Sequence, residues 1–82
     1  MHATIELFVR RHPHVLLHVV GLVARRGFHL DGILSEPTDD ARVSRIVLFV
    51  AEHERLPQLV KQLRKLHDVL RIAEPSGAQN AA

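Results

Sequence analysis

Phe28-His29-Leu30-Asp31-Gly32-Ile33-Leu34-Ser35-Glu36, then Pro37-Thr38-Asp39-Asp40, then Val43-Ser44-Arg45-Ile46-Val47-Leu48-Phe49-Val50-Ala51, is the stretch that decides the fold of this 82-residue chain. The last segment is rich in β-branched residues. The middle is turn chemistry, because Pro presets its own dihedral and Asp side chains bond nearby backbone. The stretch predicts two strands, Phe28–Glu36 and Val43–Ala51, joined as a hairpin. In the first of them Phe28, Leu30, Gly32 and Leu34 alternate with His29, Asp31, Ile33 and Ser35.

Each side of the hairpin carries a helix and a further strand. Upstream, Ile5, Leu7 and Val9 alternate with Thr4, Glu6 and Phe8, the period of a half-buried strand over Thr4–Val9. From Pro13 to Arg26 the period turns helical, with Leu16, Val19, Val20 and Val23 on one stripe. Val15, Leu22 and Ala24 lie outside that stripe, so more than half the girth is apolar. One face can pack on a sheet and the other needs a second partner. Gly27 follows Arg25-Arg26 as a left-handed cap. Downstream, Leu56, Leu59, Val60, Leu63 and Leu66 mark a helix from Glu54 to Leu66, with Pro57 in its first turn, and Val69–Ile72 makes a short last strand.

The order β-α-β-β-α-β is the split βαβ arrangement: an α+β, ferredoxin-like fold with an antiparallel four-stranded sheet and two helices on one face. The domain is expected over 1–75, with 76–82 a disordered tail of small residues. A chain of this size buries only about 60–65% of its unfolded surface, which favours self-association. At 46% hydrophobic it is not a disordered chain.

Composition narrows the function classes. The chain has no Cys, which removes a thiol nucleophile and Cys-based zinc sites and fits a reducing compartment. The opening Met-His-Ala-Thr-Ile-Glu has no basic region followed by an apolar block, so no signal peptide is expected and a cytoplasmic location is. No run approaches the ~18 apolar residues of a membrane span. The net charge is only +2, the cations are scattered, and the aromatics are Phe8, Phe28 and Phe49. No aromatic pair stands like base-stacking residues on the central strands, so no nucleic-acid partner is expected.

The seven histidines are the unusual feature. His14 and His18 stand four apart on one helical face, a spacing that can hold a metal if a third ligand such as His29 comes close. No Glu or Asp accompanies them in a metalloenzyme motif. No metal site is expected, and His12, His14, His18 and His29 are the candidates if there is one. Asp39-Asp40 belongs to turn chemistry, and Ser35, Ser44 and Ser76 lack a nucleophile's setting. Nothing in the chain marks catalysis. Arg10-Arg11-His12-Pro13-His14-Val15 is more informative, because it delivers the chain to a helix N-terminus, where free N–H groups favour a small anion such as an amino acid's carboxylate.

Several stretches carry a resemblance: Ala24-Arg25-Arg26-Gly27-Phe28-His29-Leu30-Asp31-Gly32-Ile33, Pro37-Thr38-Asp39-Asp40, Ser44-Arg45-Ile46 and Lys61-Gln62-Leu63-Arg64-Lys65-Leu66-His67-Asp68-Val69. Collinear from about Thr4 to Glu74, they resemble the regulatory small subunit of acetolactate synthase (acetohydroxyacid synthase), in the short form with one ligand-sensing ACT domain. The resemblance implies a non-catalytic subunit that pairs with itself through ACT domains and activates a large subunit. Thiamine diphosphate, Mg and FAD would then sit in that catalytic partner and no cofactor in this chain.

In valine-sensitive members the ligand lies between two ACT domains, against an Asn-x-x-Gly loop and an Asn early in the second strand. By family position the effector residues here are Arg11, His14, Val15, Leu16, His29 and Leu30. Arg11 replaces the loop Asn, His14 its Gly, and His29 the strand Asn, so a weak or absent valine response is expected. The alternative is a free-standing ACT sensor for another amino acid, small molecule or metal.

Overall fold

The computed structural model describes residues 2–51 and 54–73. Six elements follow in the order β1 (His2–Arg10), α1 (Val15–Arg25), β2 (Leu30–Pro37), β3 (Val43–Ala51), α2 (Leu56–Arg64) and β4 (Val69–Ile72). The sheet runs β2-β3-β1-β4 with antiparallel neighbours throughout, leaving β2 and β4 at its edges. This is the expected ferredoxin-like split βαβ. The end of the domain near residue 75 and the tail at 76–82 lie outside the described residues.

Cross-strand register builds the core. Ala3, Ile5 and Leu7 of β1 face Val50, Leu48 and Ile46 of β3, and all six are buried. Side chains directly opposite in a sheet share a face, and onto this one pack Val15, Val19, Leu22 and Val23 of α1 and Leu56, Leu59, Val60 and Leu63 of α2. Both helices therefore cover the same side.

Two readings of the sequence are corrected here. The buried stripe of α1 is Val15, Val19, Leu22 and Val23, not Leu16, Val19, Val20 and Val23; Leu16 is 37% exposed. Both sets have helical spacing, and a helix apolar over most of its girth does not say which one faces the sheet. The helix begins at Val15, whose N–H donates to the His12 carbonyl at 3.2 Å, and that start sets the rotation. In β2 the strict alternation fails, because the register shifts between Leu30 and Gly32. Leu30 pairs with Val50 on the helix side, and beyond the bulge Ile33 and Ser35 pair with Leu48 and Ile46 on that same side. One extra residue turns the strand over.

Element boundaries also move: β1 spans His2–Arg10 rather than Thr4–Val9, α1 Val15–Arg25 rather than Pro13–Arg26, β2 Leu30–Pro37 rather than Phe28–Glu36, and α2 Leu56–Arg64 rather than Glu54–Leu66. Phe28 belongs instead to the end of α1. Its N–H reaches the Val23 carbonyl at 3.2 Å and that of Gly27 reaches Ala24 at 3.0 Å, the two bonds of a Schellman cap. Gly27 has φ of 81°, where a Cβ would be strained even though no atom stands within 4 Å of it.

The helix-free face of the sheet mixes charged and apolar side chains. Arg45 Nε donates to Glu6 and its Nη1 to Glu36, over the buried Val47. The Arg71 guanidinium stands 4.1 Å from the Phe8 ring centroid. Phe8 and Phe49 both lie on this face, on the two central strands. Phe49 pairs with Thr4, four residues along from Phe8, so the rings are about 13 Å apart and do not form one stacking platform.

Candidate functional site

The first strand ends in a cluster of anchored backbone. The N–H of Arg10 donates to the Asp68 carbonyl at 2.8 Å and that of Arg11 to the Arg42 carbonyl at 2.7 Å. The chain then turns through His12 and Pro13, and His14 donates its N–H to His12 Nδ1 at 3.1 Å. No side chain caps the N-terminus of α1, and its first turn holds no acid. That end of the helix keeps its positive character for an anion.

Beside it lies a cavity of about 520 Å³ lined by Arg11, His12, Pro13, Val15, Leu16, Ser35, Ser44 and Ile46. The size suits a small-molecule ligand. Buried Val15 and Ile46 give it an apolar floor, while Arg11, His12 and the two serines supply a cation, an imidazole and hydroxyls. Such a mixture fits a small molecule with an apolar side chain and a carboxylate. Ser35 belongs to β2, an edge strand, so the cavity sits where the molecule ends and a neighbouring copy could begin.

Of the residues expected at the effector site, the structure brings Arg11, Val15 and Leu16 into this cavity. It leaves His14, His29 and Leu30 out of the lining. His14 is exposed at the N-cap of α1, and Leu30 is half-buried against the core. His29 Nε2 lies 3.2 Å from Asp31 Oδ1, at the far end of β2 from Ser35. His12 and Pro13 enter the lining from the junction read as an anion site, and the sequence reading missed Ser35, Ser44 and Ile46. Only the bulge puts Ser35 on the cavity side, and Gly32 inside a strand was the available signal for one.

His12 and His14 have ring centroids 5.5 Å apart, and His14 and His18 6.4 Å. Among the described residues no group of three or more His, Asp or Glu could hold a metal ion. Also among them, no helix is long and apolar enough to cross a membrane.

The β2–β3 turn positions Arg11. Thr38 Oγ1 donates to the Val43 carbonyl at 2.9 Å and accepts the Asp40 N–H at 3.1 Å. Asp40 Oδ1 accepts the Arg42 N–H at 2.9 Å and its Nε at 3.2 Å, and the Arg42 carbonyl holds Arg11. The Arg42 guanidinium and N–H keep the Asp40 carboxyl below its usual pKa. A lowered carboxyl pKa contributes stability that is complete above the unfolded value, about 3.9, and lost as pH falls through the lowered one. Asp40→Asn is expected to remove that part of the acid-side slope, read by denaturant unfolding at stepped pH. An unchanged slope would disconnect Asp40 from the turn's stability.

A family model described as the AHAS small subunit-like ACT domain matches residues 5–71. The acetolactate synthase isozyme 1 small subunit of Escherichia coli (strain K12) is 47% identical over 68 residues, covering 83% of this chain and 71% of that one. The chain belongs to the acetolactate synthase small-subunit ACT family. It groups with the regulatory small subunits, not with the catalytic chain. The isozyme 3 small subunit of the same organism is 35% identical over 75 residues, but the chain spans only 46% of its length. The crystal structure of the Thermotoga maritima acetolactate synthase small subunit superposes with a TM-score of 0.81 at 28% identity, covering 89% of this chain and 46% of that one.

Proposed function

We propose that this chain is a non-catalytic subunit that binds and activates the large subunit of an acetolactate synthase in the cytoplasm. The supporting observation is its 47% identity to a small subunit over most of both chains. In this reading thiamine diphosphate, Mg and FAD are held by the catalytic partner. Co-purification of the tagged chain with an acetolactate synthase large subunit tests it. A chain that binds an amino acid yet never retains the large subunit would instead be a free-standing sensor.

The same reading pairs two copies through β2. Among the described residues the strand has no neighbour on its outer edge, and Ile33 and Leu34 on it are 38% and 45% exposed. An open edge strand is a template for another chain, and pairing satisfies its backbone groups. Antiparallel pairing centred near Ile33 would carry one protomer's His29 to the Ser35–Pro37 end of its partner's β2. That end borders the cavity. His29, missing from one chain's lining, would then come from the second copy.

Valine is expected to bind this cavity poorly, because Arg11 in its lining stands where the family loop has Asn, and His14 and His29 stand where the family has Gly and Asn. The misfit is on the scale of about 2–5 kcal/mol, or about 30-fold to several thousandfold in affinity. Titration calorimetry checks it. Arg11→Asn/His14→Gly/His29→Asn should gain valine affinity, whereas micromolar binding by the unaltered chain would contradict the assignment of these positions.

A further inference from the structure

The cations that lie scattered along the sequence gather on one side of the fold. Counted from cap to cap, α1 (His14–Arg26) and α2 (Arg55–Lys65) hold Arg25, Arg26, Arg55, Lys61, Arg64 and Lys65, six of the 11 Lys and Arg, and none of the 9 Asp and Glu. All six are exposed. With His neutral the two helices carry +6 and the rest of the chain −4. Counting Glu52, Glu54 and Glu74 with the helices would still leave them at +3. Both helices cover the same side of the sheet, so the excess forms one face of the molecule.

This segregation gives up local stability. A helix gains from acids in its first turn and from Glu–Lys pairs four apart, yet neither helix has an acid in its first turn or anywhere along it. Local rules broken in both helices at once mark a surface kept for another purpose. The face is not uniformly polar. Leu17 is 70% exposed on the side of α1 away from Val15, Val19, Leu22 and Val23, seven residues from exposed Ala24. Arg25 folds back along the same helix, its Nη1 3.1 Å from where a Cβ on Gly21 would stand. Lys61 and Lys65, four apart, stand on the outer side of α2. An exposed leucine among cations fits an acidic partner with an apolar socket.

A second copy does not supply that chemistry. Helix layer against helix layer sets like charges together, and on the open sheet face Glu6 and Glu36 are already bonded to Arg45. Pairing through β2 would put the helices of both copies on one side, because directly opposite residues share a face, and so would double the charge there. Nucleic acid favours exposed aromatics that stack on bases, but Phe28 is buried and Phe8 and Phe49 lie on the other face.

We propose that the helix layer is the docking face for the acetolactate synthase large subunit, with Leu17 as its apolar anchor and Arg25, Lys61 and Lys65 meeting carboxylates of that partner. The proposal rests on the activating-subunit reading and adds where the contact is made and by what chemistry.

The test is surface plasmon resonance of the full chain over immobilised large subunit, from about 50 mM to about 500 mM NaCl. The association rate is expected to fall by about tenfold or more across that range. Lys61→Glu and Lys65→Glu should each associate about fivefold slower at low salt and converge on the unaltered chain at high salt, while Arg71→Glu, on the opposite face of the sheet, stays within about twofold. Leu17→Ala, at a position the core does not use, should raise the dissociation rate about tenfold with the salt dependence unchanged. An association rate indifferent to salt, an equal slowing in Arg71→Glu, or an unchanged dissociation rate in Leu17→Ala would overturn the proposal and leave the activating-subunit reading in place. Tighter binding to a single-stranded oligonucleotide than to the large subunit at about 150 mM NaCl would assign the face to nucleic acid and overturn it too. An unaltered chain that binds the large subunit at no salt concentration would overturn the function reading itself, and this proposal with it.

Discussion

Leu48→Ala is expected to bring this chain to the edge of unfolding. Leu48 is fully buried at the centre of β3, paired with Ile5 on one side and Ile33 on the other, under both helices. Truncating such a side chain loses its transfer energy and leaves a void, about 2–5 kcal/mol together. A chain of this length has a stability of about 4–12 kcal/mol at the usual value per residue. The loss is therefore a large share of the total. Leu70→Ala, at a residue 46% exposed on β4, should change stability by less than about 0.5 kcal/mol. Chemical denaturation of both variants beside the unaltered chain measures the contrast. Equal midpoints for the two would mean that the core is not where the structure puts it.

The second large effect is on self-association. Ile33→Lys would place a charge where two β2 strands are proposed to meet, on the side that continues into the core. It forfeits the burial of an aliphatic side chain, about 1.5–3 kcal/mol, and adds the cost of an unpaired charge. The dimer dissociation constant should rise at least a hundredfold, equivalent to about 2.7 kcal/mol. Leu34→Lys acts on the same edge from the opposite face and leaves the helix-side core alone, so a folding defect in the first variant does not end the test. Light scattering across a concentration series reads both. A monomeric unaltered chain, or variants that stay fully dimeric, would remove β2 as the interface.

How much of this was readable in the residues depends on how many neighbours each element has. In β1 one face meets helices and the other meets polar groups, so Ile5, Leu7 and Val9 declare themselves by simple alternation. The stripe of α2 stands against Lys61, Arg64 and Lys65 and is equally plain. The caps and turns were legible because Gly27 and Thr38-Asp39-Asp40 act through local backbone chemistry. The rotation of α1 was not, since Leu16 and Leu17 make its outer side as apolar as its inner one. The face of β2 was hidden by a bulge that alternation cannot register. The candidate site was half legible. Arg11, Val15 and Leu16 follow from a strand–helix junction contained in one stretch of chain. Ser35, Ser44 and Ile46 enter only through pairing of distant strands, and His14 and His29 stay outside any cavity that a single copy can form.

The central claim is activation of a catalytic partner, and it is tested most directly by acetolactate formation from pyruvate by the isolated large subunit as this chain is titrated in. The account predicts a saturable rise in turnover, little altered by added valine. A large subunit whose rate stays flat while it demonstrably binds the chain would contradict it.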